Sequence, residues 1–450
     1  MTAKNLLFKN SRPLKHFIFS LSCVVFAVML TSCEQNPTAP NEPPKPPGYQ
    51  EDIYWPSLAD SPWPMYRADP QNTGRSKSLG PILGNIVLRT DTLWPASGVA
   101  VNEVSTIYFV VHSWFEPESG GLLAMNLNGT IKWHYPFLVT EQEPSCSPLV
   151  NSDGTIFISS NDPILGQNKF IAINPDGTLK WELNFEGPDE NVQTGINIGI
   201  DGTLYVLLLT DVLHEYKLTA IDKSGMIKWQ LILDGVRGVP GDGMSMSTDG
   251  KTLYIPGKID GKSIYAVDVE SQQVKWSFGN KRLYFDGTPL IDSQGNIYII
   301  AEGDSSEGRL YSLSDDGSIR WSFVLDDNFH NAESINPFVM DKLGNLYVGG
   351  VTLTSIDFFG EFRWQIDMAE FGAISSPIVI DVNGNIIFTV GSFNETYLLK
   401  VNSEGEIILS IPFADLNYNG VNISPAVFYN QYIYPYTPAP THNPSFIILK

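Results

Sequence analysis

Five side chains with ligand-binding chemistry stand at matching places along this chain: Glu143, Asp242, Asp286, Glu333 and Asn422. Each lies a few residues upstream of a short apolar run. Several of those runs open on a Ser/Thr/Asn-Pro pair, as at Ser147-Pro148, Thr288-Pro289, Asn336-Pro337, Ser376-Pro377 and Ser424-Pro425. If the runs are strands gathered around one axis, the five groups converge at one mouth of a channel. Carboxylates clustered in that way can hold a cation, a basic peptide or a sugar. The competing reading is that they are solvated loop charges.

Other chemistry finds little support in the residues. His112, His134, His214, His330 and His442 are scattered, with no metal-ligand spacing, so no metal is expected. No Gly-x-Ser-x-Gly elbow is present. Asp249-Gly250-Lys251-Thr252 ends like a phosphate-binding loop but has Ser245 where that motif needs glycine, and it sits inside a hairpin pattern. The repeated Asp/Asn-Gly turns lack the alternating Asp and distal Glu of a calcium-binding loop. Cys23, Cys33 and Cys146 are too few for a disulfide framework, and Cys146 reads as a small buried residue near a strand start.

The elements that would position the five groups are repeats. Phe170 to Phe185, FIAINPDGTLKWELNF, reads as strand, tight turn, strand, and the phrase returns along the chain with tryptophan at 133, 181, 229, 276, 321 and 364. A seventh copy, Leu398 to Phe413, has lost the tryptophan. The spacings are 48, 48, 47, 45 and 43 residues, a sustained period that marks a repeat architecture. Between these phrases lies a second apolar-turn-apolar phrase, as in residues 148–159, 197–208, 289–300 and 377–390. Asp-Gly, Asn-Gly and Ser-Gly turns supply the positive φ that tight hairpins need. Two hairpins per period make four short strands, the pattern of a β-propeller blade.

Seven full periods are followed by residues 425–436 and 445–450, which hold only three strands. Asn85 to Arg89 is an isolated copy of the fourth. The expected fold is therefore all-β: an eight-bladed propeller closed by N- and C-terminal strands, with no edge left open. Seven blades plus an appended hairpin is the alternative.

The recurring Ala/Ser-x-Asp/Asn-x-x-Gly-x-x-x-Trp pattern, as at Ala172 to Trp181, resembles the tryptophan-docking motif of the quinoprotein dehydrogenase (PQQ-like) propellers. That resemblance implies that Trp133, Trp181, Trp229, Trp276, Trp321 and Trp364 each pack between neighbouring blades and cap the adjacent turn. Ser61 to Ser76 is similar to the opening segment of such proteins through Trp63, Arg67, Asp69, Thr73 and Gly74, and is expected to lie across one propeller face. The quinone enzymes of the family also use a cation held by Glu, Asn and Asp, a catalytic Asp and commonly a vicinal Cys pair. This chain has no Cys-Cys pair and short blades. The expectation is thus no cofactor and no enzyme, since the fold alone hosts unrelated activities.

The N-terminus suggests an address. A basic stretch, Lys4 to Lys15, precedes an apolar run at 17–30 that is too short for a comfortable membrane span. It ends in Leu30-Thr31-Ser32-Cys33, which resembles the bacterial lipobox and implies lipid attachment at Cys33. Residues 1–32 are then a lipoprotein signal peptide, 33–60 a Pro-rich lipidated tether, and 61–450 the propeller. Glu34, standing where an inner-membrane retention signal has Asp, favours the outer membrane, on its periplasmic or cell-surface side. Residues 33–450 carry 24 basic and 49 acidic side chains, a net charge of −25. Such a surface repels phosphate backbones, so nucleic acid is not an expected partner. The function expected is a lipid-anchored, non-enzymatic interaction scaffold with an envelope protein partner. The design is similar to the propeller lipoprotein of the outer-membrane barrel-assembly machinery. A glycan- or peptide-binding surface propeller is the second reading.

Overall fold

A computed structural model describes residues 44–90, 92–113, 119–139, 146–162, 167–185, 190–192, 195–210, 215–233, 243–257, 264–279, 284–285, 287–302, 308–325, 338–392, 395–413, 421–422, 425–437 and 445–450. Gly48 to Lys450 forms one compact unit. Its strands assemble into eight small antiparallel sheets arranged as the blades of an eight-bladed β-propeller. The seven-bladed alternative is excluded by the eighth sheet. There, strand Ile86–Thr90 pairs with Ser445–Leu449, which pairs in turn with Gln431–Thr437. The isolated copy of the fourth strand thus completes the last blade, and Phe109 of the first blade stacks on Phe446 of the eighth at 4.5 Å.

The gradient of burial along a blade explains its composition. In the first blade, strand Thr106–Val111 is buried at every position, whereas the outermost strand Ile131–Pro136 alternates between exposed and half-buried residues. A strand covered on both faces reads as a continuous apolar run; a rim strand with one wet face reads as an alternation. The rim hairpins share one turn. In Asn174 to Thr178 the Gly177 N–H donates to Asn174 O at 2.9 Å, the Asp176 carboxylate accepts from Thr178 N at 3.0 Å, and Gly177 has φ +88°. The register slips by one residue just before it, between Ala172 and Ile173. This is a type I turn closed by a glycine bulge, which demands positive φ at one residue.

The same glycine explains the tryptophan. A Cβ on Gly177 would lie 2.7 Å from the ring of Trp133 in the preceding blade, whose Nε1 donates to Pro175 O at 3.0 Å. Trp181, Trp276, Trp321 and Trp364 repeat the arrangement against Gly225, Gly317, Gly360 and Gly405, donating to Lys223, Asp315, Phe358 and Ser403 carbonyls at 2.8–3.1 Å. The corresponding turn of the fourth blade has no glycine, and there Gln272 adopts φ +59°; Trp229 and Val269 pack against the same core cluster. Where the ring closes, Leu88 takes the tryptophan's place against Gly129. The basic residue before each tryptophan ties the rim to the inner hairpin, as in Lys180 Nζ to Thr155 Oγ1 at 2.7 Å and Arg320 Nη1 to the Tyr298 hydroxyl at 3.2 Å.

Candidate functional site

The innermost strand of each blade is only two or three residues long and presents a row of N–H and C=O groups to the axis. Buried backbone groups need partners, and the chain supplies them from a single segment, residues 48–81. Gln50 N donates to Lys342 O at 2.9 Å, Trp55 Nε1 to Ile198 O at 3.0 Å, and Ala59 N to Val150 O at 3.0 Å. Val101 N donates to Trp63 O at 2.7 Å, Met246 N to Pro70 O at 2.8 Å, and Ile291 N to Gln71 O at 3.0 Å. Ile380 N donates to Gly74 O at 2.9 Å and Asn430 N to Leu79 O at 3.0 Å. Every blade is engaged. The segment is an axial plug.

Two features of the sequence reading change here. The reading ended the tether at residue 60, but Trp55, Ser57, Leu58 and Ala59 are buried in the body. The apolar side chains of Ile53 to Ala59, unlike the polar residues before them, were the signal. The segment Ser61 to Ser76 does more than cross a face: its middle part descends to the level at which the inner strands begin.

That middle part is shaped by its own polar groups. Arg67 and Ala68 adopt φ +52° and +73°, and Gly74 N closes back on Arg67 O at 3.0 Å. The buried Arg67 guanidinium donates to Asn72 O at 3.0 Å and to Phe338 O at 2.6 Å. Asn72 Nδ2 reaches Ser245 Oγ at 2.8 Å and Met244 O at 3.1 Å. Asp69 accepts from the backbone N–H groups of Gln71 and Thr73, both at 3.1 Å, and from the Thr73 hydroxyl. Burial pushes the Asp69 carboxyl above its ordinary value, against the lowering effect of Thr73, Arg75 and Arg67. Trp63, Arg67, Asp69, Thr73 and Gly74 therefore all serve the plug's conformation and docking.

On its outer side the plug leaves a cleft of about 340 Å³. Ile53, Leu58, Pro62, Pro64 and Ala68 contribute apolar wall, and the charged lining sets Arg75, Lys77 and Lys342 against Glu51, Asp52, Asp60, Asp69 and Asp381. Sequence reasoning singled out none of these three cations, because only the folded plug brings them together.

Of the five groups read as a channel-mouth site, Glu143, Asp242, Asp286 and Glu333 lie outside the described residues, as does Cys33. Asn422 belongs to a two-residue strand, Val421–Asn422, paired with Tyr436 and Thr437. All five precede the inner strands in the chain. The outer parts of the plug rest instead on the turns that follow those strands, at Gly199, Lys342 and Asp381. Cys146 is half-buried, with its Sγ 2.9 Å from Ser159 Oγ, and burial raises its thiol above the ordinary value. Among the described residues no group of three or more His, Cys, Asp or Glu is placed to hold a metal ion. The described part of the axis does not fit a quinone either, because Arg67, Asn72 and the inner-strand carbonyls there are bonded to one another.

No protein-family model matches the chain, and no curated protein matches it in sequence. Solved structures do. A quinohemoprotein alcohol dehydrogenase from Pseudomonas putida HK5 aligns with a TM-score of 0.62 at 10% identity, covering 87% of this chain and 80% of its own. The C-terminal WD40 domain of Sif2 aligns at 0.54 and 12% identity, covering 82% and 99%. The dihydro-heme d1 dehydrogenase NirN aligns at 0.50 and 13% identity, covering 83% and 81%. Enzymes and a WD40 domain stand side by side in this group. At such identities the likeness establishes the propeller fold alone.

Proposed function

We propose that this chain is a non-catalytic binding propeller of the bacterial cell envelope. Lipid on Cys33 holds it at the outer membrane, and its loops engage an envelope protein partner, with outer-membrane barrel assembly as the specific setting. The observation that carries this reading is the plug. Residues 48–81 spend their backbone and buried polar groups on the eight inner strands, so this part of the axis is built as a rigid hub. A hub of that kind suits a platform whose surfaces do the recognition. The lipobox-like run ending at Cys33 supports the address, since multiple acyl chains give stable anchoring.

The test is a crosslinked pull-down from intact cells with full-length protein lipidated at Cys33, read by mass spectrometry. Recovery of a barrel-assembly subunit supports the scaffold, and lower levels of assembled barrels on deletion would strengthen it. Recovery of no protein partner overturns it. Weight then moves to a glycan or peptide ligand at Glu143, Asp242, Asp286, Glu333 and Asn422. Uptake of a quinone with calcium by the purified protein would instead return it to the dehydrogenases.

A further inference from the structure

Six rim strands carry a cation just before the docking tryptophan: Lys132, Lys180, Lys228, Lys275, Arg320 and Arg363. The residue paired with that tryptophan across the blade is always small. Ala124, Ala172, Ala220, Ala266, Ser312 and Ser355 stand opposite Trp133, Trp181, Trp229, Trp276, Trp321 and Trp364. The seventh blade reverses both choices. Leu409 holds the tryptophan's place, a half-exposed Ile408 replaces the cation, and the residue opposite Leu409 is Lys400. The charge has moved from the wet rim into the blade, where Lys400 is only 7% exposed. A buried cation is costly unless it is paired and hydrogen-bonded.

Its partners show what it holds. Lys400 Nζ pairs with Oδ2 of the buried Asp381 at 2.9 Å and donates to Pro81 O at 3.2 Å. The same Asp381 oxygen accepts from Gly80 N at 3.2 Å. Gly80 and Pro81 belong to a strap, residues 78–85, that leaves the plug, crosses the seventh blade and delivers strand Ile86–Thr90 to the eighth. Backbone bonds hold its two ends. Val382 N donates to Ser78 O and Asn430 N to Leu79 O, both at 3.0 Å, while Asn85 and Lys450 exchange bonds at 3.1 and 2.9 Å. Between the ends, Ile82 and Leu83 are 60% and 71% exposed. The strap also stands in for the hairpin turn that the eighth blade lacks, since that blade's outer strand comes from the other end of the chain. Gly84 has φ +70°, and a Cβ on it would meet Ile411 and lie 3.6 Å from Leu409.

We infer that the Lys400–Asp381 pair is a latch on the closure of the ring. It pins Gly80 and Pro81 to the seventh blade and thereby keeps strand Ile86–Thr90 seated on Ser445–Leu449. The middle of the strap buries little apolar surface of its own, and segments of that kind open locally well before the whole molecule unfolds. Without the Lys400 charge, a buried carboxylate and the Pro81 carbonyl lose their cation. The seam between the seventh and eighth blades then opens while the others stay shut, because each of those blades joins its third and outer strands by a hairpin turn. A rim cation elsewhere serves only its own blade: Lys228 meets Asp201 at 3.2 Å with both side chains exposed. This inference does not depend on the protein-partner reading.

Native-state hydrogen exchange on the full purified chain, resolved by peptide mass spectrometry, tests the latch. Lys400→Met keeps the aliphatic stem and removes the charge. Exchange at Ile86–Thr90 and Ser445–Leu449 should quicken about tenfold or more, with Leu204–Thr210 and Glu215–Ile221 of the third blade unchanged. Lys228→Met, made at the exposed pair, should leave the seam at wild-type protection. Lys400→Ser combined with Ile408→Arg copies the fifth and sixth blades, where Arg320 and Arg363 bond to Ser312 and Ser355. That double variant should recover most of the lost protection. Unchanged exchange at the seam in Lys400→Met overturns the proposal, and so does equal quickening in the third blade. If Lys400→Met does not fold, the double variant decides. Wild-type protection at its seam supports the latch, whereas an unprotected seam or a second failure to fold overturns it.

Discussion

At the residue scale the molecule turns on glycine and tryptophan acting as a pair. Gly360 and Gly384 both sit at positive φ, +88° and +81°. A Cβ on Gly360 would lie 2.6 Å from the Trp321 ring, while one on Gly384 meets nothing within 4 Å. Gly384→Ala should therefore cost only the left-handed backbone term, about 1–2 kcal/mol. Gly360→Ala should cost about 1–3 kcal/mol more, because the docked indole must shift. Urea midpoints of the two variants measure the difference, and equal midpoints would refute the docking account. Turn carboxylates make a second residue-scale prediction. Partial burial raises Asp153, but bonds from Thr155, Lys180 and Asn151 outweigh this and hold it well below the ordinary carboxylate range. Asp201 is lowered in the same way, with burial opposed by Thr203 and Lys228. A carboxyl depressed in the folded state adds stability above its unfolded pKa of about 4, and loses it as pH falls toward the folded value. The melting temperature should therefore drop as pH falls below about 4, and less steeply in Asp153→Asn. An unchanged acid slope in that variant would count against the turn's contribution.

At the scale of elements the plug behaves as a ninth structural unit made from one strand-poor segment. Its hinge is Arg67, which is buried and donates to two carbonyls, Asn72 O within the plug and Phe338 O in the sixth blade. Arg67→Met keeps most of the volume but leaves those acceptors buried without the guanidinium. The expected cost is about 3 kcal/mol. Lys77→Gln, on the exposed outer side, should stay within about 0.5 kcal/mol. Chemical denaturation separates the two, and equal stabilities would mean that the plug does not brace the inner strands.

At the scale of the whole molecule the decisive feature is closure. Strand Ile86–Thr90 covers the edge of Ser445–Leu449, and Leu88 fills the docking place on Gly129. An uncovered edge strand is a template for association. Leu88→Asp should loosen this junction, lower the melting temperature and produce dimers or larger species on size-exclusion chromatography. A monomer with wild-type melting behaviour would show that closure rests on other contacts, such as the Phe109–Phe446 stack.

Much of this was legible in the residues, for a physical reason. Hairpin turns and strand alternation are local, so eight blades and the closing strand could be counted from spacing; Gly177 with Trp133 shows how a repeated motif even encodes the contact between neighbours. The plug was less legible. The apolar residues from Ile53 to Ala59 mark a buried stretch, but not its place, because its partners are carbonyls at Ile198, Val150 and Lys342, far along the chain and identical in type to every other carbonyl. Likewise Arg75, Lys77 and Lys342 form no motif. Only the tertiary structure places them at one cleft, by laying an extended segment beside the seventh blade. Local periodicity set the fold; long-range backbone pairing decided which distant residues share a surface.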